Sequence, residues 1–216
     1  DVVAGVSSDI YWRNITLSVV TAMAIIFLIL VWNRKLKSEI AKRIEAEEKL
    51  KHMASHDLLT GLPNRALLLD RISQAAARHG RDGKQFAVMF VDLDGFKQVN
   101  DSFGHEAGDE LLMLVAKRLE HNVRRSDTVA RFGGDEFVLL VTGLNDIEES
   151  AKVAEKILVD FSEPFELKAA TVNVGASIGI ACFPKDHTDG QLLIKAADEA
   201  MYQVKATGKN SYQFYS

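Results

Sequence analysis

Three acidic residues in two separate stretches carry the chemistry open to this chain. Arg131 to Phe137 reads RFGGDEF, so Asp135 and Glu136 directly follow a Gly-Gly pair. Asp92 closes an earlier apolar run, FAVMFVD. Carboxylates brought together repel one another and cannot all stay ionised unpaired. Divalent cations relieve that repulsion, and oxygen ligands suit Mg²⁺ or Mn²⁺, which commonly bridge protein acids to substrate phosphates. Zinc is disfavoured, because no cysteine or histidine cluster accompanies the acids. Lys97 follows Asp92 by about one helical turn and is placed to meet a phosphate as a point charge. Backbone amides of residues 94–96, at a helix start, offer a second phosphate contact. No P-loop sequence is present, so the phosphate site would be of another kind. Alone, GGDE also fits a surface hairpin with solvated acids.

The elements that must position these residues follow from patterning. Val129 and Ala130 before the glycines, and Val138 to Val141 after them, predict two short strands joined at Gly133-Gly134, a pair that tolerates positive φ. Adjacent strand side chains point to opposite faces, so Asp135 and Glu136 are not one bidentate clamp. Phe86 to Val91 predicts a strand ending at Asp92. Asn64 is a candidate cap for a helix to about His79. Phe96 to Phe103 reads as a short helix, and a longer one is expected from Gly108 through Leu119. Further helices are expected over Ile147–Val159, broken by Pro164, and over Leu192–Lys205. Val172 to Phe183 reads as a strand whose Gly175 and Gly179 suggest close backbone approach. Tyr212–Tyr215 is a candidate edge strand. The order is βαββαβ, an α+β, ferredoxin-like antiparallel sheet with flanking helices. In that topology the first strand lies antiparallel to the third, bringing Asp92 beside Asp135 and Glu136.

Composition sets the outer bounds. The chain has 216 residues, 47% hydrophobic, with a net charge of −4, which argues against a nucleic-acid polymer as partner. The lone Cys182 lies in an apolar run and reads as buried and reduced. Residues 15–32 form an apolar run near the lower limit for crossing about 30 Å of hydrocarbon. Tyr11, Trp12 and Trp32 stand near its ends, and Arg34, Lys35 and Lys37 follow it, which predicts a single span with the C-terminal part in the cytoplasm. A signal-peptide core lacks its basic lead and cleavage site here, and a buried helix would need a larger core. Residues 1–14 are then an extracytoplasmic remnant. The start at Asp1 is that expected of a fragment or processed product. Residues 33–56 are charged and helix-favouring, with a thin stripe of Leu36, Ile40, Ile44, Leu50 and Met53. They read as a signalling helix pairing in a dimer, or as a solvated connector.

Residues 57–216 hold five motifs in order: DLLTGLPNR, DLDGFKQVNDSFGHEAGD, RFGGDEF, ASIGI and ADEAMYQVKATGKN. Together they resemble the diguanylate cyclase (GGDEF) domain family. The resemblance implies that two domains meet face to face and join two GTP molecules into cyclic di-GMP, releasing two pyrophosphates. It implies that Asp92, Asp135, Glu136 and the Leu93 carbonyl hold two Mg²⁺ (or Mn²⁺) per half-site, with Asp92, Asp135 and Glu136 as the catalytic acids. Asn100 and Asp109 would read guanine, whose N1-H and exocyclic amine are donors. Lys97 and Lys205 would hold phosphates. Lys209 stands where the family usually has Arg, keeping the charge but not the bidentate fork. Phe96 lies on the substrate side, although alone it reads as core, like Phe103. Arg124 to Asp127, RRSD, matches the family's Arg-x-x-Asp inhibitory product site. The implied cell location is the bacterial inner membrane. The alternative is a non-catalytic receptor domain for cyclic di-GMP or GTP that acts by dimerisation or protein contacts. Such a domain would be expected to lose an acid or Lys97, and this chain retains them all.

Overall fold

Helix starts and stops follow local chemistry in this computed structural model, which describes residues 2–216. The side chains of residues 2–11, 45, 46, 48, 50–52 and 82 are outside it, and with them the expectations for Tyr11 and Leu50. The chain divides into two units, Asp1–His52 and Met53–Ser216. Helix α1, Val2–Ser55, makes up the first and enters the second. By length and composition its Trp12–Ile44 portion is long and apolar enough to cross a membrane. Its large apolar side chains from Leu17 to Trp32 are exposed.

In the second unit, Asn64 caps α2 (Arg65–Asp82), its side chain accepting from the Ala66 and Leu67 amides. The helix runs past His79 until Gly83, at φ 69°, turns the chain. Strand β1 is Gln85–Asp94, two residues beyond Asp92. Helices α3 (Phe96–Phe103) and α4 (His105–Asn122) are separated by Gly104 at φ 85°. The second therefore begins three residues before Gly108, because the break lies at Gly104. Strands β2 (Thr128–Gly133) and β3 (Glu136–Leu144) form the expected hairpin. Next come α5 (Glu148–Phe161), β4 (Phe165–Glu166), β5 (Thr171–Val172) and β6 (Gly175–Phe183). The single strand expected from Val172 is thus two, since β5 pairs with β4 in a separate small ribbon. Asp189 caps α6 (Gly190–Thr207), and β7 (Ser211–Phe214) closes the edge parallel to β6.

The main sheet has the order β2-β3-β1-β6-β7. β1 lies between β3 and β6, antiparallel to both, as the βαββαβ reading requires. Helices cover both faces, so the central strands read as continuous apolar runs. Ala87, Met89, Val91 and Leu93 of β1 pack on one face with Leu111 and Val115 of α4 and Ile157 of α5. Phe86, Val88 and Phe90 pack on the other with Leu68 and Ile72 of α2 and Leu193 and Met201 of α6. Asp92 shares the parity of Val88 and Phe90 and so lies on the α2/α6 face. Glu136 shares the parity of Val138 and Leu140, on that same face.

Gly179 brings α6 into place. A Cβ there would fall 1.9 Å from the Ala197 carbonyl oxygen and 2.2 Å from the Met201 amide nitrogen. Only glycine lets this helix sit so close to β6. Cys182 is buried and free, its thiol pushed up to about 12 by burial and the nearby Asp186 carboxylate.

Candidate functional site

The end of β1 gathers charge from three elements. Asp92 pairs across the ladder with Glu136 of β3 on one side and Ser177 of β6 on the other. Its side chain is 9% exposed, and its Oδ2 lies 2.7 Å from Lys205 Nζ in the last turn of α6. The close seat of α6 at Gly179 delivers that lysine. Two residues on, Asp94 accepts from the Ser177 hydroxyl at 3.0 Å and the Asn210 amide at 2.9 Å. Asp94 thereby ties β1 to β6 and to the turn before β7.

Asp135 lies in the hairpin turn itself, and β3 begins at Glu136. Only Gly134, at φ 51°, takes the positive φ expected of the glycine pair. The ladder slips between Arg131 and Gly133, a bulge that re-aims the tip. A Cβ at Gly133 or Gly134 would meet no protein atom within 4 Å, so the space beside the acids is open.

Crowding of like charge shows in the titration of the acids. Burial raises the Asp92 carboxyl above its usual range, with Asp135 and Asp94 adding to the rise and Lys205 opposing it. Burial likewise raises Glu136, helped by Asp92, Asp198 and Asp135 and again opposed by Lys205. Asp198 on α6 is raised by burial and Glu199, with Lys205 once more opposing. Asp198 stands seven residues before Lys205, on the same helix face. The sequence reading missed both Asp94 and Asp198. The i+2 spacing from Asp92 and the i−7 spacing from Lys205 were the signals that pointed to them.

These donors are all oxygen, negatively charged and mutually repelling, which fits a hard divalent cation. Among the described residues no trio of His, Cys, Asp or Glu is drawn together at ligand distance. Lys205 supplies the neutralising charge in this arrangement.

A second group lies on α3 and α4. Asn100 Oδ1 is fully buried without a hydrogen-bond partner. Gly108 lies directly against it, and Phe96 is half-buried, packed on the core. Lys97 and Asp109 are exposed, as is Lys209, which sits at φ 64° in the turn after α6. Leu93 is buried in the strand between the two aspartates.

Arg124 and Asp127 stand apart at the turn into β2. Asp127 is buried and accepts from the Arg124 amide and the Thr142 amide, both at 3.0 Å. Its carboxylate therefore shapes the turn that presents the exposed Arg124. Arg124 borders a cleft of about 460 Å³ with Lys152 and Lys156.

Arg131 is a residue whose role only the structure discloses. Its Nε and Nη2 donate to the Gly134 carbonyl at 3.0 and 2.8 Å. Its Nη1 meets Asp57 Oδ1 at 3.0 Å, and its amide donates to the Pro63 carbonyl. Burial tends to raise Asp57, but hydrogen bonds from Thr60 and the Arg131 guanidinium outweigh it and hold the carboxyl below its usual value. The DLLTGLPNR turn thus grips the signature turn directly.

The family model described as "Diguanylate cyclase, GGDEF domain" matches residues 54–211. The bifunctional diguanylate cyclase/cyclic di-GMP phosphodiesterase MucR of Pseudomonas aeruginosa is 42% identical over 98% of this chain and 32% of its own length. The chain spans 22% to 40% of the length of MucR and four other curated relatives. The crystal structure of the GGDEF domain of TpbB (YfiN) from P. aeruginosa superposes with a TM-score of 0.71 at 37% identity, covering 73% of this chain and 98% of that one. The coiled coil and GGDEF domain of DgcB from Caulobacter crescentus, solved in complex with c-di-GMP, gives 0.73 at 26% identity, covering 82% and 94%.

Proposed function

Because the chain belongs to the diguanylate cyclase GGDEF-domain family, we propose that it condenses two GTP molecules into cyclic di-GMP, releasing two pyrophosphates. The observation that carries this reading is the cluster at the end of β1. Asp92 and Glu136 face each other across the ladder, beside Asp135, with Lys205 as their counter-charge. Repelling acids with a lysine beside them suit a nucleoside triphosphate carried with divalent cations.

Asp92, Asp135, Glu136 and the Leu93 carbonyl are the groups that would hold two Mg²⁺ or Mn²⁺ ions. When bound, such ions polarise the α-phosphate and lower the pKa of the attacking hydroxyl. Asn100 and Asp109 read the guanine edge, beside Phe96. Lys97, Lys205 and Lys209 hold the phosphates and the departing pyrophosphate. Each half-site presents one GTP, and each 3′-hydroxyl attacks the α-phosphate on the partner domain, so the working unit is a homodimer. Arg124 and Asp127 bind product and inhibit. The DgcB complex with c-di-GMP supports product binding by domains of this kind.

The apolar portion of α1 supports a single membrane span over residues 15–32, with residues 1–14 outside. Residues 33–56 form the connecting signalling helix, and residues 57–216 the cytoplasmic catalytic domain at the bacterial inner membrane.

The test is incubation of the full chain in detergent with GTP and Mg²⁺, across a range of protein concentrations, with mass detection of product. Cyclic di-GMP formation that rises more than linearly with protein concentration, and is lost in Asp135→Asn, is expected. Absence of product where dimers are present would refute the reading.

A further inference from the structure

We propose that Gly108 determines base specificity by providing the slot in which the Asn100 amide rests. The inference builds on the reading that Asn100 faces guanine. Gly108 lies in the first turns of α4, with ordinary helical backbone angles. Nothing in its conformation requires glycine, and glycine is a poorer helix former than alanine. The reason for it lies across the α3–α4 corner. A Cβ on residue 108 would fall 2.0 Å from Asn100 Oδ1, 2.9 Å from its Cγ and 3.3 Å from Phe96 Cζ. The Phe96 ring edge can give by a few tenths of an ångström, but the amide cannot share its place.

Asn100 is held there at a cost. Its Oδ1 is buried without any donor, which is unfavourable for an amide oxygen. That seat exists only because residue 108 carries no side chain. With Oδ1 set against α4, the Nδ2 hydrogens are the end left to meet a base. Guanine offers the O6 acceptor, whereas adenine carries an amino donor at the corresponding position. Asn100 in this pose separates the two bases, and residue 108 decides whether the pose exists. Asp109, the next residue, is exposed and reads a different feature, the guanine N1-H and 2-amino donors.

The test uses the full chain in detergent, with Gly108→Ala, Asn100→Ala and the double variant. The readouts are thermal melting and calorimetric binding of non-cyclising analogues of GTP, ITP and ATP in Mg²⁺. Gly108→Ala is expected to weaken the GTP analogue about tenfold and to erase most of its preference over the ATP analogue. The preference for GTP over ITP, which lacks the 2-amino group, should persist because Asp109 is untouched. Adding Gly108→Ala to Asn100→Ala should leave affinity unchanged and should not lower melting, since the group it strikes is gone. If Gly108→Ala alone fails to fold, recovery of folding in the double variant supports the collision and its absence overturns it. Unchanged GTP affinity in Gly108→Ala, or an equal loss in both backgrounds, also overturns the proposal. Binding rather than turnover is read. A chain that shows this pattern but forms no cyclic di-GMP would refute the cyclase reading and leave this one standing.

Discussion

Replacing Lys205 with methionine removes the charge and keeps most of the side-chain length. In the structure Lys205 Nζ lies 2.7 Å from Asp92 Oδ2, with the two side chains 32% and 9% exposed. At an effective dielectric of about 20, a contact this close is worth roughly 4–6 kcal/mol of gross attraction. Partial solvent screening and the ordering of a long lysine chain cut this to a net of about 1–3 kcal/mol. For a chain of this size that is a fall of roughly 2–10 °C in melting temperature. The sign of the pH dependence follows from the acids. Asp92, Glu136 and Asp198 all have folded pKa values above their usual ones, and Lys205 opposes each rise. Acids raised in this way stabilise the fold when protonated, and that contribution is lost as pH rises through the folded value. Without Lys205 their pKa values rise further, so the variant's deficit is full at neutral pH and shrinks on acidification. Mg²⁺ should recover more stability in Lys205→Met than in the parent, because it meets acids with no competing lysine. Melting of the full chain in detergent at several pH values, with and without Mg²⁺, measures all three effects. A deficit that does not change with pH would show that Lys205 acts by packing and would refute this electrostatic account.

Other expectations rest on separate contacts. Gly179→Ala drives a methyl into the backbone of α6 and should destabilise by about 1–3 kcal/mol or more in denaturant titrations, while moving Lys205 away from Asp92. Asp57→Asn weakens the grip on Arg131 and should cost about 1–2 kcal/mol at neutral pH. Asp57 has a lowered folded pKa, so its contribution is present above the unfolded value and lost as pH falls through the folded one. The variant's stability should therefore converge with the parent's in acid, as urea titrations at stepped pH would show. Arg131→Ala also strips two donors from the Gly134 carbonyl and should lower turnover beyond its effect on melting, measured by product formation at a temperature where both proteins are folded.

Much of the fold could be read from patterning because each element carried its own local signal. Asn64 is a side-chain cap, and the run Phe86 to Val91 alternates between two buried faces. The short helix read over Phe96 to Phe103 has those bounds in the structure. One boundary moved for a non-local partner and another for a local glycine break. β5 left β6 to pair with β4, and α4 began at the Gly104 break rather than at Gly108.

By itself the sequence determined the inventory of the candidate site. The acids at 92, 135 and 136 and the order of elements that would bring them together follow from residue types and βαββαβ topology alone. Tertiary structure decided who neutralises whom. Lys205 lies more than a hundred residues from Asp92 in sequence, and they meet because Gly179 lets α6 sit close on β6. Arg131 reaches Asp57 and Gly134 at once because the turn after α1 packs beside the hairpin. The vacancy of a Cβ at Gly108 means nothing until α3 folds back and sets Asn100 against it. Helix and strand propensities act over a few neighbouring residues, whereas charge pairing and steric exclusion act through space, and only the folded chain fixes those distances.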